Sequence, residues 1–499
     1  MYSGGILRRF STLGLACFCA LAAAVRAEHT CWYVDDDGAG DPRPADPTVS
    51  DPLEDGTPEH PFDAIQEAID AASEGDEIIL ADGRYSGVGN LDISFLGKAI
   101  TVRSANGPES CVVDCAEAGR GFSFHALETR DSVLEGVTLR RCAATADDAQ
   151  GGGIRCINSS PTIRNCVVTE SFAQGFFSAG GGVYCLSADP AFLGCRIQGN
   201  RSSGLFSNGG AIYLDFSDAV LADCVISDNR AGFAGGGVVC ERNSRPTFLR
   251  TTISDNMAQF GGGMIIQSAS QPLLHACVIR GNMADSTAGI QVDSSDPVIR
   301  DSLIVGNVSF KATRGGLDTG SNSNTIVTNC TIAGNSTGMS CNDPASEVQI
   351  SNSIFFGNGM DLIDCVPSYS LIGVGDHKIG EGNITGDPLF DSEDDYHLQA
   401  ASPCVNQGDS MFEPDIGYGD FDGHWRVLCG RVDMGAFELG IGDFDCNQDL
   451  TLQDYSRWPA CMAGPQGHSL KAGCQAFDFD ADGDVDLADY AGFANELPG

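Results

Sequence analysis

Residues 180–200 read GGGVYCLSADPAFLGCRIQGN, and this stretch decides the fold. It opens on three glycines, alternates apolar and polar residues on both sides of Pro190, and ends on Gly199 and Asn200. Alternation with a period of two is typical of β-strands, because successive side chains of a strand point to opposite faces. The stretch therefore predicts two short strands, a turn between them and a corner at the end.

The same pattern recurs along the chain every 23 to 29 residues or so, an interval typical of solenoid coils (about 20 to 50). A run of short strands at this interval, without helices between them, predicts a parallel β-solenoid. The copies begin at Gly151, Gly180, Gly209, Gly235 and Gly261, with weaker copies near Ala288, Gly315 and Met339.

Three columns of residues recur at fixed places in the copies. The first predicts a ladder of stacked amides at a corner where asparagine would take the left-handed conformation; it is Asn200, Asn229, Asn256, Asn282, Asn307, Asn335 and Asn358. The other two fall on the inward side of their strands, where cysteine serves as a compact apolar filler or pairs with a neighbour. They are Cys166, Cys195, Cys224, Thr251, Cys277, Ser302, Cys330 and Ser353, and Cys156, Cys185, Leu214, Cys240, Ile266 and Val292.

The asparagine ladder, the GGG starts and the SxP turns resemble right-handed parallel β-helix proteins of the pectate-lyase-like superfamily, over residues 60–440. The resemblance implies an all-β, right-handed parallel β-helix, and the handedness comes from it alone. The superfamily includes lyases, glycoside hydrolases, epimerases and members without known activity, so the fold does not give the function.

Charge and the N-terminus predict an exported protein. A net charge of −40 disfavours nucleic-acid phosphates and anionic membranes and favours cations. Arg8 and Arg9 followed by the apolar run 13–25 predict a signal peptide cleaved near Ala27. No later apolar run has the length of a membrane span, so we expect a secreted protein. We also expect it to be a monomer.

Both ends of the solenoid need a cover. Residues 61–72, PFDAIQEAIDAA, predict a short amphipathic capping helix. Residues 360–440 break the period and resemble the closing segment of secreted bacterial β-helix proteins, which implies a pair between Cys404 and Cys429. Asp420 and Asp422 in this segment predict either a cation contact or a plain acidic turn.

Residues 478–489, DFDADGDVDLAD, have the spacing of a calcium loop. Asp484, at loop position 7, would offer its backbone carbonyl, and Gly483, at position 6, provides the sharp turn. The side-chain ligands would be Asp478, Asp480, Asp482, Asp486 and Asp489.

Residues 443–454, DFDCNQDLTLQD, repeat this spacing, with Gln448 in place of the turn glycine and therefore a weaker predicted site. The ligands would be Asp443, Asp445, Asn447, Asp449, Thr451 and Asp454. Two such loops resemble a dockerin module, which implies bound Ca²⁺ and a cohesin-like protein partner. The alternative is that the pair simply anchors or caps the protein.

These boundaries predict five parts: a signal peptide at 1–27, an N-terminal loop and capping helix at 28–75, the parallel β-helix at 76–359, a closing segment at 360–440 and a dockerin-like α-helical module at 441–499.

One outward column predicts a glycan site, although a solvated acidic face is the alternative. Asp215, Glu241 and Asp293 would serve as acid, base or nucleophile, because paired carboxylates on neighbouring coils have glycosidase-like spacing. The predicted substrate-binding residues on the same face are Arg155, Tyr184, Tyr213 and Gln267.

Two functions follow from these parts. The first is a secreted protein that acts on or binds extracellular polysaccharide, as a lyase or glycoside hydrolase if it is an enzyme, and attaches through its calcium module. The second is a non-catalytic carbohydrate-binding, adhesin-like or structural surface protein.

Overall fold

The computed structural model describes residues 30–36, 53–145, 149–311, 314–373, 380–413 and 419–440 and, beyond these, 454, 458–462, 474, 477–479 and 484–496. The predicted signal peptide lies outside the described residues, as does the first calcium loop apart from Asp454.

A single coil shows how the repeat folds. After the triplet Gly180 to Gly182, the chain forms the strands Val183–Leu186, Ala191–Leu193, Arg196–Gln198 and Arg201–Ser203 in succession. Each strand pairs in parallel with the equivalent strand of the next coil. The predicted parallel β-solenoid is therefore confirmed, and we name its sheets I to IV in the order in which a coil passes through them.

The strands of each sheet, within the described residues, are as follows. Sheet I has Phe122–Phe124, Ile154–Ile157, Val183–Leu186, Ile212–Asp215, Val238–Glu241, Met264–Gln267, Ile290–Asp293, Leu317–Thr319, Met339–Cys341 and Leu362–Ile363. Sheet II has Cys31–Val34, Glu77–Leu80, Thr101–Ser104, Val133–Glu135, Thr162–Arg164, Ala191–Leu193, Val220–Ala222, Thr247–Leu249, Leu273–His275, Val298–Arg300, Ile326–Thr328 and Gln349–Ser351.

Sheet III has Gly83–Tyr85, Cys111–Asp114, Thr138–Arg140, Val167–Thr169, Arg196–Gln198, Val225–Ser227, Thr252–Ser254, Val278–Arg280, Leu303–Val305, Thr331–Ala333, Ile354–Phe356 and Leu371–Ile372. Sheet IV has Ala143–Thr145, Phe172–Gln174, Arg201–Ser203, Arg230–Ala231, Met257–Ala258, Met283–Ala284 and Val308–Ser309. A further pair is Phe177–Ala179 with Phe206–Asn208.

The asparagine ladder fixes the register of the coils. The backbone N–H and the side-chain Nδ2 of Asn256 both donate to Oδ1 of Asn282, at 3.0 and 3.1 Å. Nδ2 of Asn256 also donates to the Ile226 carbonyl of the preceding coil at 2.9 Å. The left-handed residue, however, is the one before each asparagine, such as Asp255 with a φ of 57°, so the prediction of left-handed asparagines is wrong.

The inward cysteine columns consist of reduced, buried thiols in the described structure. Cys195 Sγ donates to the carbonyl of Ile163 at 3.3 Å, and burial raises the pKa of Cys277 to about 12. The filler interpretation of these columns is therefore confirmed. The disulfides between described residues lie outside them: Cys115–Cys142, Cys341–Cys365 and Cys461–Cys474.

The predicted N-terminal capping helix is confirmed but shorter, as α1 (Ile65–Ala71). Ile65, Ala68 and Ile69 are buried in the main core at the open end of the first coils. Before α1, the strand Cys31–Val34 adds to the edge of sheet II by pairing with Glu77–Leu80.

The closing segment is clamped to the solenoid by a buried charge cluster. The Arg426 side chain is 1% exposed; its Nε donates to Asp301 Oδ1 at 2.7 Å, and its Nη1 lies 3.6 Å from Glu438 Oε2. His275 Nδ1 lies 3.1 Å from the other oxygen of Asp301. Since buried charges are tolerated only when they are paired, this segment and the sheet II corner stabilise each other.

The predicted Cys404–Cys429 disulfide is wrong. Cys404 is a buried free thiol whose pKa is raised to about 12 by burial, and its backbone N–H is hydrogen-bonded to Ser402. Cys429 is disulfide-bonded, so its partner is another cysteine.

The ladder makes a stability prediction. Replacing Asn256 with Ala removes Oδ1, the acceptor for two donors of Asn229, and leaves these buried donors unsatisfied. We expect a loss of about 2–4 kcal/mol in the free energy of unfolding, measured by urea denaturation. The exposed Gln259→Ala should change it by less than about 0.5 kcal/mol; equal losses in the two variants would show that the ladder adds nothing specific.

Asp433 in the closing segment makes a pH prediction. Burial raises its pKa from 3.8 to about 6, although the N–H groups of Asn406 and Leu439 donate to it. The folded state thus binds this proton more tightly, and the resulting stability is present below about pH 4 and lost as the pH rises to about 6.

Between pH 4 and 6, we therefore expect wild type to lose up to about 3 kcal/mol more stability than Asp433→Asn, measured by urea denaturation at each pH. An identical pH slope in both proteins would contradict the assignment of this proton to Asp433.

Candidate functional site

The register of the predicted site residues on sheet I is confirmed. Asp215 pairs with Glu241 on the neighbouring coil, and Gln267 pairs with Asp293. Arg155, Tyr184 and Tyr213 form an adjacent row on the same face. All of these side chains alternate with buried inward residues such as Leu214 and Cys240, so they belong to the outer face of sheet I.

The two tyrosines of this row are covered rather than open. Their rings are stacked with centroids 5.7 Å apart, but Tyr184 is 4% exposed and Tyr213 8%. The chain that returns from sheet IV to the next glycine triplet packs over them, with Ala234 and Phe260 in the same apolar cluster. The predicted contact between these tyrosine rings and a sugar chain would require this cover to move.

Asp215 and Glu241 also have partners within the protein. Asp215 is fully buried and forms a bidentate ion pair with Arg242, whose guanidinium lies 5.3 Å from the Phe216 ring centre. Glu241 accepts a hydrogen bond from the Tyr213 hydroxyl. Their catalytic role stays a prediction, and the burial of Asp215 counts against it, because a buried ion-paired carboxylate does not reach a polymer at the surface.

A second group of polar residues lies further along the same face, around Asp318. Asp318 pairs with Gln291 in the sheet and is 2% exposed. It accepts hydrogen bonds from the side chains of Ser340 and Asn342, and Arg314 Nη1 lies 3.0 Å away. We call Asp293, Arg314, Asp318, Ser340 and Asn342 the acidic cluster.

Asp293 is the member of the acidic cluster whose pKa is raised. Its Oδ2 accepts a hydrogen bond from Gln291 at 2.8 Å and the carboxyl is half-buried. Burial raises the pKa of Asp293 and the charge of Asp318 raises it further, while Gln291 and Arg314 oppose the change. Gly320 occupies the next coil at this point, and a side chain there would collide with the Asp293 carboxylate.

The sequence prediction missed Asp318 and Arg314. The signal was present, because the row of Tyr184 and Tyr213 continues coil by coil to Gln291, Asp318 and Ser340. Between Tyr213 and Gln291 the row is apolar, at Val239 and Ile265, and this interruption hides its polar continuation.

A cavity of about 530 Å³ borders the acidic cluster. It is lined by Asn342, Asp343 and Asp364 and by the disulfide between Cys341 and Cys365. Because Asn342 also donates to Asp318, the cavity and the cluster share a wall.

An exposed aromatic strip borders the outer face of sheet I on the other side, and it consists of Phe176, Phe177 and Phe206. These rings are 61%, 68% and 40% exposed. The Phe177 and Phe206 rings are stacked 5.2 Å apart, and the row continues through Phe233 to Phe260. The aromatic surface beside sheet I that is open to solvent is therefore provided by phenylalanines, which are not among the predicted site residues.

The described part of the second predicted calcium loop brings carboxylates together. One oxygen each from Asp484, Asp486 and Asp489 lies within 4.8 Å of the others, and Asp478 is 1% exposed. Asp489 accepts hydrogen bonds from the N–H groups of Phe479 and Asp486, both at 2.7 Å, where helix α3 (Leu487–Glu496) begins. Asp484 contributes a side chain, whereas the sequence predicted only its carbonyl.

The remaining predicted calcium ligands lie largely outside the described residues: Asp443, Asp445, Asn447, Asp449, Thr451, Asp480 and Asp482. The described exception is Asp454, which is buried. Beside the loop, a small core of Trp458, Phe477 and Val485 packs with the Cys461–Cys474 disulfide and helix α2 (Trp458–Cys461).

Comparison with known proteins agrees with this architecture. The family model described as the right-handed beta helix region matches residues 77–295 and 261–377. The chain belongs to this family. No curated protein matches the sequence. None of the helices in the described part of the chain has both the length and the hydropathy that a membrane span requires.

Several solved structures are similar to this chain at low sequence identity. A pectate lyase, Pel9A, has 14% identity and a TM-score of 0.45 over 82% of this chain and 97% of its own. The A-module of the mannuronan C-5 epimerase AlgE6 of Azotobacter vinelandii has 18% identity and a TM-score of 0.38, over 65% and 94%. The alginate lyase AlyGC has 13% identity and a TM-score of 0.39, over 66% and 53%.

Proposed function

We propose that the protein binds extracellular polysaccharide along the outer face of sheet I, between the aromatic strip and the acidic cluster. The observation that carries this proposal is the exposed stack of Phe177 and Phe206. Flat apolar rings repeated at the coil spacing, beside polar side chains, suit a polymer with apolar ring faces and hydroxyl edges.

The charges of this face favour a neutral polymer. Arg242 and Arg314 are both engaged with the buried carboxylates Asp215 and Asp318, so their charge is already compensated. With a net charge of −40, the protein repels polyanions unless a cation mediates the contact. We therefore propose a neutral glycan as the ligand.

Cleavage of the bound polymer is the second candidate function, and the raised pKa of Asp293 favours it. A carboxyl whose pKa is raised holds its proton more tightly and is better suited to protonate a leaving oxygen. Asp318 would act as a positioning residue, because hydrogen bonds from Ser340 and Asn342 occupy its carboxylate.

A prediction follows for the aromatic strip. On the polysaccharide that a glycan array identifies, Phe177→Ala and Phe206→Ala should each weaken binding about tenfold, because each removes a stacking surface. Phe310 is 59% exposed and lies outside the strip, so Phe310→Ala is the matched control. Retention of full affinity by both strip variants would place the binding site elsewhere.

Asp293→Asn separates binding from catalysis. If the protein cleaves the polymer, this variant should lower kcat at least 100-fold and leave KM within about threefold, since it removes only the transferable proton. Reducing-sugar release measures the rate, and Asp343→Asn is the control because Asp343 lines the adjacent cavity. Unchanged turnover in Asp293→Asn would rule out its role as the acid.

We also propose that the protein is exported and that its C-terminal module binds Ca²⁺ and docks onto a cohesin-like partner. The cluster of Asp484, Asp486 and Asp489 supports the metal, because clustered carboxylate oxygens are what Ca²⁺ prefers. These residues, with Asp478, would hold the ion, whose role is to order the loop and helix α3. The monomeric state stays a prediction.

Calcium should slow amide hydrogen exchange in α3 (Leu487–Glu496) of the full chain at least tenfold relative to chelator. The Asp486→Asn variant should lose most of this protection, while Asp391→Asn in the closing segment should keep it. Equal exchange with calcium and with chelator in wild type would contradict the proposed metal site.

A further inference from the structure

Three carboxyl groups meet where the N-terminal segment joins the capping helix. They belong to Glu54, Asp63 and Glu67, and one oxygen of each lies within 4.8 Å of the other two. Glu54 precedes a tight turn, Asp63 precedes α1, and Glu67 lies within it. This group is separate from the polysaccharide face and from the C-terminal module, and the predicted activity does not use it.

Backbone hydrogen bonds hold these three positions in place. The Tyr33 N–H donates to the Gly56 carbonyl at 3.0 Å, and the Phe62 N–H donates to the Tyr33 carbonyl at 2.9 Å. Glu54 and Asp63 therefore flank contacts with the strand Cys31–Val34, and the Glu67 N–H is bonded to the Ala64 carbonyl. These hydrogen bonds fix the backbone positions from which the three carboxyl groups converge.

The buried carboxylate oxygen of Asp63 supports a bound ligand at this position. Asp63 is 9% exposed, and its Oδ2 is fully buried without a hydrogen-bond donor. A buried carboxylate oxygen without a donor is unfavourable unless a cation or a proton compensates it. Glu54 and Glu67 would provide this compensation only by keeping a proton, which a bound cation makes unnecessary.

The charges of the three groups also favour a bound cation. Three carboxylates at this spacing repel one another in the absence of a cation.

We propose that Glu54, Asp63 and Glu67 bind a calcium ion. The ligand atoms are all carboxylate oxygens, which suit a hard cation, whereas Zn²⁺ favours nitrogen and sulfur ligands. Mg²⁺ demands a near-ideal octahedron, while Ca²⁺ accepts irregular sets of six to eight oxygens completed by water. The ion would link the N-terminal segment to α1 and so fasten the cover over the first coil.

The affinity expected for such a site is that of extracellular calcium modules, a Kd of about 10⁻⁴ to 10⁻³ M. Isothermal titration of the full chain with Ca²⁺ should therefore give one more bound ion in wild type than in Asp63→Asn or Glu67→Gln. Glu67 is exposed, so its variant keeps the test valid if Asp63→Asn fails to fold. The exposed Glu59→Gln, from the same loop, should keep the wild-type stoichiometry.

Terbium locates the site. Trp32 packs on Phe62 with ring centres 5.9 Å apart, and Phe62 directly precedes Asp63. Tb³⁺ bound at the three carboxyls should therefore luminesce on tryptophan excitation, and Trp32→Phe should reduce this emission without changing the calcium stoichiometry. Equal stoichiometry in wild type, Asp63→Asn and Glu67→Gln would overturn the proposal, and so would Mg²⁺ that competes at equal affinity.

Discussion

The hydrogen bond from one asparagine amide to the next is the interaction on which the rest of the structure depends. A parallel solenoid gains stability only from contacts between neighbouring coils, so a slip of one residue would turn every inward side chain outward. The ladder from Asn200 to Asn358 prevents this slip, because each amide has its donors and acceptor used by the coils on either side. It ends where Asn358 donates to Asp361 within the same coil.

This fixed register also arranges the outer face of sheet I and the aromatic strip beside it. Residues separated in sequence by one coil become neighbours, so Asp318 lies beside Gln291 in sheet I and Phe206 beside Phe177 in the strip. The same geometry explains why Asp215 is buried: Arg242, one coil later, folds back onto it. A face of this kind offers a polymer a row of repeated contacts, and a single half-buried carboxyl, Asp293, at one end.

The sequence was sufficient to predict the features that follow from local alternation and from the repeat period. Runs such as Val183–Leu186 predicted strands, and the spacing of Asn200, Asn229 and Asn256 predicted the register. It was insufficient where the chain leaves the period. Nothing in the alternation indicated that the segment around Phe260 would fold over Tyr213.

The errors in backbone and disulfide prediction have different origins. The left-handed corner falls on Asp255, while the backbone N–H of Asn256, one residue later, donates to the ladder. The pairing of Cys404 with Cys429 rested on resemblance alone, in a segment without a repeat to constrain it.

A polysaccharide bound on the outer face of sheet I would shield a defined set of backbone amides. Hydrogen-exchange mass spectrometry with and without the polysaccharide that the array identifies measures this shielding. Exchange should slow in peptides that cover residues 176–179, 205–209, 240–243 and 291–293, with no change in sheet III. Protection confined to sheet III or to the closing segment would show that the polysaccharide binds elsewhere.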